Sequence, residues 1–334
     1  MKSIQLKKMM NKLLYIGIIA IPLFNSCRKN TVLSTKDPVE KIDSSFNLKK
    51  ATYNGSDILV DTTIFNKTFS THFLENTTLV EQSGIAASSV YDSILFVHQD
   101  SGNEGAVYII NTNGKSIGKI MLNGIHNRDW EDIAVGPGPL TGISYLYVAD
   151  IGDNDAKYPD IVVYRFPEPN LLTNKVGQEY LINDFDQIRL KYDDKPKNAE
   201  SLMVDPLTKD IYIATKESNN AKIYKISYPQ NTKEISTISA VAQLPFDKLT
   251  GGDISSDGKE ILLRNKSTVW HWQKISQQDI ISTLLASPVT IPINVEYQGE
   301  GICFAPQQQG MYTNTEVSKN GMALPYFNFY SRKK

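Results

Sequence analysis

The sequence predicts an all-β, radially repeated fold: one β-propeller of five blades, with six as the alternative. Three observations predict it. A short box recurs five times, a small or polar pair followed by a branched apolar residue: Ser83-Gly84-Ile85, Glu131-Asp132-Ile133, Glu200-Ser201-Leu202, Gly252-Asp253-Ile254 and Glu300-Gly301-Ile302. Successive boxes start 48, 69, 52 and 48 residues apart. After each box comes a second apolar run, such as Ile94-Leu95-Phe96-Val97 or Tyr145-Leu146-Tyr147-Val148. Its β-branched and aromatic residues favour strands. Between the runs stand turns rich in Gly, Asn, Asp and Pro, with no amphipathic helical period of any length.

The chain opens differently. Lys2, Lys7, Lys8 and Lys12 precede twelve largely apolar residues, 13–24, a stretch too short for a span of about 20 residues. This basic and apolar pair ends in Phe24-Asn25-Ser26-Cys27, which resembles a bacterial lipoprotein signal. The resemblance implies cleavage before Cys27 and lipidation (a palmitate-type anchor) of that cysteine. Phe24 and Asn25 depart from the usual Leu-small-small pattern. The expected address is the bacterial cell envelope, at the outer membrane, with the folded domain outside the cytoplasm. Residues 27–50 are polar and lysine-rich and read as a flexible tether, leaving 51–334 for the propeller.

Each blade is predicted to have four strands. The first is read at 84–87, 94–98, 106–111 and 116–122, with Asn113-Gly114 as a tight hairpin turn. The second is read at 132–135, 145–151, 161–166 and near 179–182; an additional strand at 186–192 accounts for the long gap between boxes. The third is read at 201–204, 211–216, 222–228 and 235–244, and the fourth at 253–255, 260–265, 268–272 and 289–295. The fifth has three, at 301–305, 311–314 and 326–330, and lacks an outer strand. Residues 58–78 have strand character and no blade of their own, so they are expected to complete the last blade and close the ring.

Inner strands of a propeller line its channel, so polar side chains in the boxes converge. Glu131, Asp132, Glu200, Asp253 and Glu300 are expected at one mouth, joined by loop residues Asp100, Asp150, Asp153, Asp155, Glu217 and Glu316. Lys216, Arg264 and His98 fall on the same side. Hard oxygens from separate loops suit Ca²⁺, and the set proposed to hold it is Asp132, Asp153, Glu200, Asp253 and Glu300. Glu131, Asp150, Lys216 and Arg264 are read as ligand-binding. The plain alternative is that these acids cap turns and pair with Lys216, Arg264 and Lys266. Carboxylates forced together also raise one another's pKa, which suits general acid and base work.

Other chemistries find no support. Asp150-Ile151-Gly152-Asp153-Asn154-Asp155 is dense in oxygen but is not an EF-hand, because its glycine is misplaced. There is no G-x-S-x-G elbow, and His72, His98, His126 and His271 lack zinc spacing. Cys303, in an apolar run, reads as a small buried hydrophobe, and Trp270 and Trp272 as blade packing. Without residues 1–26 the chain holds 31 bases and 36 acids and no basic stripe, which excludes a nucleic-acid binder. The expected partners are the membrane, through the lipid, and a small-molecule or protein ligand at the funnel, bound by a monomer.

The boxes also carry a resemblance. Asp129-Trp130-Glu131-Asp132-Ile133-Ala134, Asp150-Ile151-Gly152-Asp153-Asn154, Ala199-Glu200-Ser201-Leu202-Met203-Val204-Asp205-Pro206 and Thr250-Gly251-Gly252-Asp253-Ile254 look like a family of bacterial secreted β-propellers. That family is broadly similar to NHL/YVTN-like, esterase-like phytase and lactonase propellers. The resemblance implies either ligand binding or Ca²⁺-assisted hydrolysis of phosphate or lactone esters. The chain carries no histidine-rich phosphatase signature, and a phytase calcium set does not match it residue by residue.

Overall fold

Alternating apolar strands joined by tight turns pair with their neighbours in sequence, and here they build five sheets arranged in a ring. The computed structural model describes residues 48–171, 177–317 and 323–334. The first blade runs outward from Gln82–Ala87 through Ile94–Gln99 and Ala106–Asn111 to Ser116–Leu122. The second comprises Trp130–Pro137, Ser144–Asp150, Ile161–Pro167 and Asp186–Tyr192. The third comprises Ala199–Val204, Ile211–Thr215, Ala221–Ile226 and Ala240–Leu244. The fourth comprises Leu249–Ile254, Glu260–Asn265, Val269–Gln273 and Val289–Ile291. The fifth comprises Gln298–Phe304, Gly310–Glu316 and Tyr326–Ser331. Its fourth strand is Ser70–Phe73, antiparallel to Tyr326–Ser331, so the N-terminal segment closes the ring as expected. The signal segment, Cys27 and most of the expected tether lie outside the described residues.

The blade edges differ from expectation in an informative way. Gln178–Ile182, expected as the fourth strand of the second blade, lies parallel on Ser116–Leu122 of the first. Asp186–Tyr192 takes the place expected for it. The strand expected at 235–244 breaks in two: Ser236–Ile238 lies parallel on the second blade, and only Ala240–Leu244 stays in the third. Lys49–Lys50, at the expected tether's end, lies parallel on the third blade, and Val60 bridges Thr290 on the fourth. In the second and third blades the chain thus crosses to a neighbour's edge between its own third and fourth strands. The open amides and carbonyls of those edges are thereby paired, which blocks edge-to-edge association. Residues 48–74 form a strap across the third, fourth and fifth blades. Phe65 pins it at 2% exposure, edge-on to His271 and beneath the Arg332 guanidinium.

Apolar side chains fill the wedges between blades. Tyr147, Leu202, Ile213 and Tyr224 share one such cluster. Trp270 and Trp272 both pack on Phe246, with ring centroids 4.1 and 5.9 Å away. Cys303 is buried among hydrophobic residues, as its surroundings in the sequence indicate.

The recurring box is a β-bulge. In all five blades the pairing of the innermost strand with the second slips by one residue at this point. The extra residue is Glu131, Glu200 or Thr250 in the second, third and fourth blades, and falls within Ser83-Gly84 and Glu300-Gly301 in the others. A bulge re-aims its side chain and sharpens the local twist. The register corrects the fourth box by two residues: Thr250-Gly251-Gly252 is equivalent to Glu131-Asp132-Ile133, and Asp253 lies further along its strand.

Candidate functional site: an acidic funnel above a plugged channel

At the second box position the inner strands come together: Gly84, Asp132, Ser201, Gly251 and Gly301. A β-carbon on Gly301 would stand 2.7 Å from the Ser83 carbonyl oxygen, and one on Gly251 2.6 Å from that of Glu300. Asp132 is the one charged member of this ring. Its carboxylate accepts the amides of Ile133 (2.9 Å), Leu202 (2.8 Å) and Gly252 (3.4 Å), tying the second blade to the third and fourth. With no exposed surface it fills the channel. Burial holds its pKa well above the usual carboxylate range, against those three amides. Asp132 was expected as a metal ligand. In the structure its oxygens accept backbone amides of three blades.

Above this ring the bulged glutamates form the funnel. Glu131, Glu200 and Glu300 are all nearly buried. Lys216 sits among them: its ammonium lies 2.5 Å from Glu200 Oε2, and the charges of Glu200, Glu300 and Glu131 hold its pKa above the usual value despite burial. Asn198 donates to the other Glu200 oxygen at 3.1 Å. Burial pushes Glu200 up to about 7, with Lys216 opposing. Burial and then the Glu200 charge do the same to Glu300, also to about 7. Glu316 reaches about 7 through burial and the nearby Glu300 charge.

Beside the Glu200–Lys216 pair lies a second group of acids, on which Lys216 and Arg128 act only through their charge. Ligand oxygens of Asp100, Asp129 and Glu131 fall within 4.8 Å of one another. Burial is the largest cause raising all three pKa values; the charge of Asp100 adds to it at Asp129, and that of Glu200 at Glu131. Ser101 bonds to both aspartates. Glu131 is 4% exposed, and no hydrogen-bond donor among the described residues reaches its carboxylate. Gly152 makes room for the group: a β-carbon there would stand 2.5 Å from Asp129 Cγ and overlap Glu131 Oε1. Three converging carboxylates, one of them nearly buried, and a side-chain-free cradle fit a hard divalent cation. Asp100 stood among the expected loop acids, and Asp129 adjoins the second box. Only the turn of the bulge brings them to Glu131.

The remaining expected residues fall elsewhere. Asp153 caps its own loop, accepting the Lys157 and Tyr158 amides at 2.9 and 2.8 Å. Asp150 pairs with Arg128 at 3.0 Å, and burial nevertheless pushes it up to about 6. Asp155 pairs with Lys157, and Glu217 with the buried Lys197. Arg264, expected to hold a ligand anion, is fully buried. It pairs with Glu296 at 2.7 Å and donates to the Gly301 and Asn314 carbonyls, so it braces the fourth blade against the fifth. His98 is buried and held near 4, chiefly by desolvation. Asp253 lies beyond the Asp132 plug and lines a separate cavity at the opposite mouth. The chain matches no protein-family model and no curated protein.

Proposed function

We propose that this protein is an envelope-anchored, ligand-binding propeller whose acidic funnel holds a divalent cation, Ca²⁺ by its ligand chemistry. One observation carries the reading: the Asp100–Asp129–Glu131 cluster, its ligand oxygens within 4.8 Å of one another. Three hard oxygens leave further coordination positions for a ligand's own carboxylate, phosphate or hydroxyl oxygens. The basic and apolar leader before Cys27, a lipid anchor in this reading, supports a tethered binding module, as does the resemblance of the boxes to secreted bacterial propellers. Calorimetric titration of Ca²⁺ tests the cation, with Asp129→Asn and Glu131→Gln as controls. One ion per chain in the parent and none in either variant is the expected result. Absence of stoichiometric binding in the parent overturns the reading.

A second reading has its own support. Glu200 and Glu300, pushed up to about 7, stand beside the cluster with Lys216. Carboxyls near neutrality suit proton transfer, and a bound cation polarises an ester oxygen and activates water. Hydrolysis of phosphate or lactone esters follows from that combination. A panel of both ester classes, assayed with Ca²⁺ before and after Glu200→Gln, decides between binding and turnover.

A further inference from the structure

Below the Asp132 plug the channel opens into a second chamber. It holds ≈ 280 Å³, near the lower end of the size of small-molecule pockets, roughly 300 Å³ upward. The ends of four inner strands and the turns after them form its wall. Val135, Ile254, Phe304, Ala305 and Pro306 make much of that wall apolar. Asp253 contributes a carboxyl group to that wall. Its oxygens accept one amide each, Ile254 at 2.8 Å and Phe304 at 2.8 Å, and no ion pair to it occurs among the described residues. A carboxylate oxygen has two lone pairs, so each has one left for a ligand. The only other charged residue lining the chamber is Asp92, also acidic, and no basic residue lines it.

We infer that this lower chamber is a binding site for a small organic ammonium ion, a primary amine on a short apolar body. The ammonium meets Asp253, and the body lies against Phe304, Val135 and Ile254. Charge and shape select this class together. An anion meets two carboxylates and no counter-charge. A hydrated metal ion meets one deep carboxylate and apolar walls, far short of the six to eight oxygens Ca²⁺ requires. A neutral apolar molecule leaves the carboxylate without a partner, whereas an ammonium supplies charge-assisted hydrogen bonds away from bulk water. Burial lifts Asp253 to about 7, against the Phe304 and Ile254 amides, and a bound ammonium stabilises its ionised form. This site is separate from the acidic funnel and does not depend on a cation being held there.

Calorimetric titration of the full chain with benzylamine and hexylamine tests the inference, with benzyl alcohol and hexanol as uncharged counterparts. One amine is expected per chain, with the alcohols at least about tenfold weaker. Asp253→Asn is expected to weaken the amine at least about tenfold. Ser256→Trp, at the exposed rim, is expected to do the same by filling the entrance while leaving Asp253 and its amides in place. Glu131→Gln in the upper funnel is expected to change nothing. The inference is overturned if neither amine binds, if the alcohols bind equally well, or if amine binding survives Ser256→Trp in a protein that melts like the parent.

Discussion

Glu131 and Gly152 occupy one space: the glutamate carboxylate lies where a side chain on residue 152 would begin. The second blade supplies both, Glu131 from the bulge of its inner strand and Gly152 from the loop after its second strand. Gly152→Ala is therefore expected to push Glu131 and Asp129 apart and to weaken Ca²⁺ at least about tenfold, read by calorimetry. The main-chain angle at residue 152 is one that alanine tolerates, so the melting temperature is expected to move little.

The funnel acids, with Asp253 of the lower chamber, make stability depend on pH with an uncommon sign. Glu200, Glu300, Glu316 and Asp253 are near 7 in the folded chain and return to the ordinary carboxylate range on unfolding. The folded state thus holds protons that the unfolded state has released, from roughly pH 4.5 to 7. Stability is greatest on the acid side of that window and falls as pH rises through it. Without added metal, the melting temperature is expected to drop by several degrees between pH 5 and 7.5. Millimolar Ca²⁺ is expected to restore much of the loss, by binding only the folded chain. A flat profile in the absence of metal would contradict the account of the funnel.

Asp132 ties three blades by accepting the amides of Ile133, Leu202 and Gly252. Asp132→Ala leaves those buried donors unpaired, at about 1–3 kcal/mol each, so a loss of about 3–5 kcal/mol is expected. Asp132→Asn keeps an acceptor oxygen and is expected to lose clearly less. Urea unfolding of the two variants makes the comparison.

Gly299 makes room for the Arg264 guanidinium, whose Cζ would lie 2.7 Å from a β-carbon at that position. The pair it protects is dry: Arg264 and Glu296 have no exposed side-chain surface, and Thr313 and Asn328 satisfy the other Glu296 oxygen. Gly299→Ala is expected to displace the arginine and strand the glutamate, a loss of about 3–5 kcal/mol. Arg264→Met, which removes the charge but keeps bulk, leaves the same stranded glutamate and is expected to lose as much.

What the sequence makes legible is local. Hairpins such as Ala106–Asn111 with Ser116–Leu122, the five inner strands and the N-terminal closure follow from alternation and turn chemistry over a few residues. The parallel outer strands do not. Gln178–Ile182 has the pattern of an edge strand, and nothing within it says whose edge it joins; that depends on where the preceding loop carries the chain. The fourth box is misread by two residues for a related reason. A bulge inserts one residue without altering composition, so Gly252-Asp253-Ile254 imitates the Glu131 box while Thr250 occupies its place. The acids brought together among the described residues differ from the expected metal set. Asp132 sits beside the bulge and Asp253 three residues beyond its own, whereas Glu131, at the bulge itself, is turned toward Asp100 and Asp129.

Asp132 and the close-packed ring around it make the molecule two cups set base to base. A solute entering either cup meets at its floor the unexposed Asp132 and the strands packed around it. What the upper cup accepts therefore places no size or charge requirement on the lower. Substitutions that retune one leave the other unchanged, provided the shared floor at Asp132 holds.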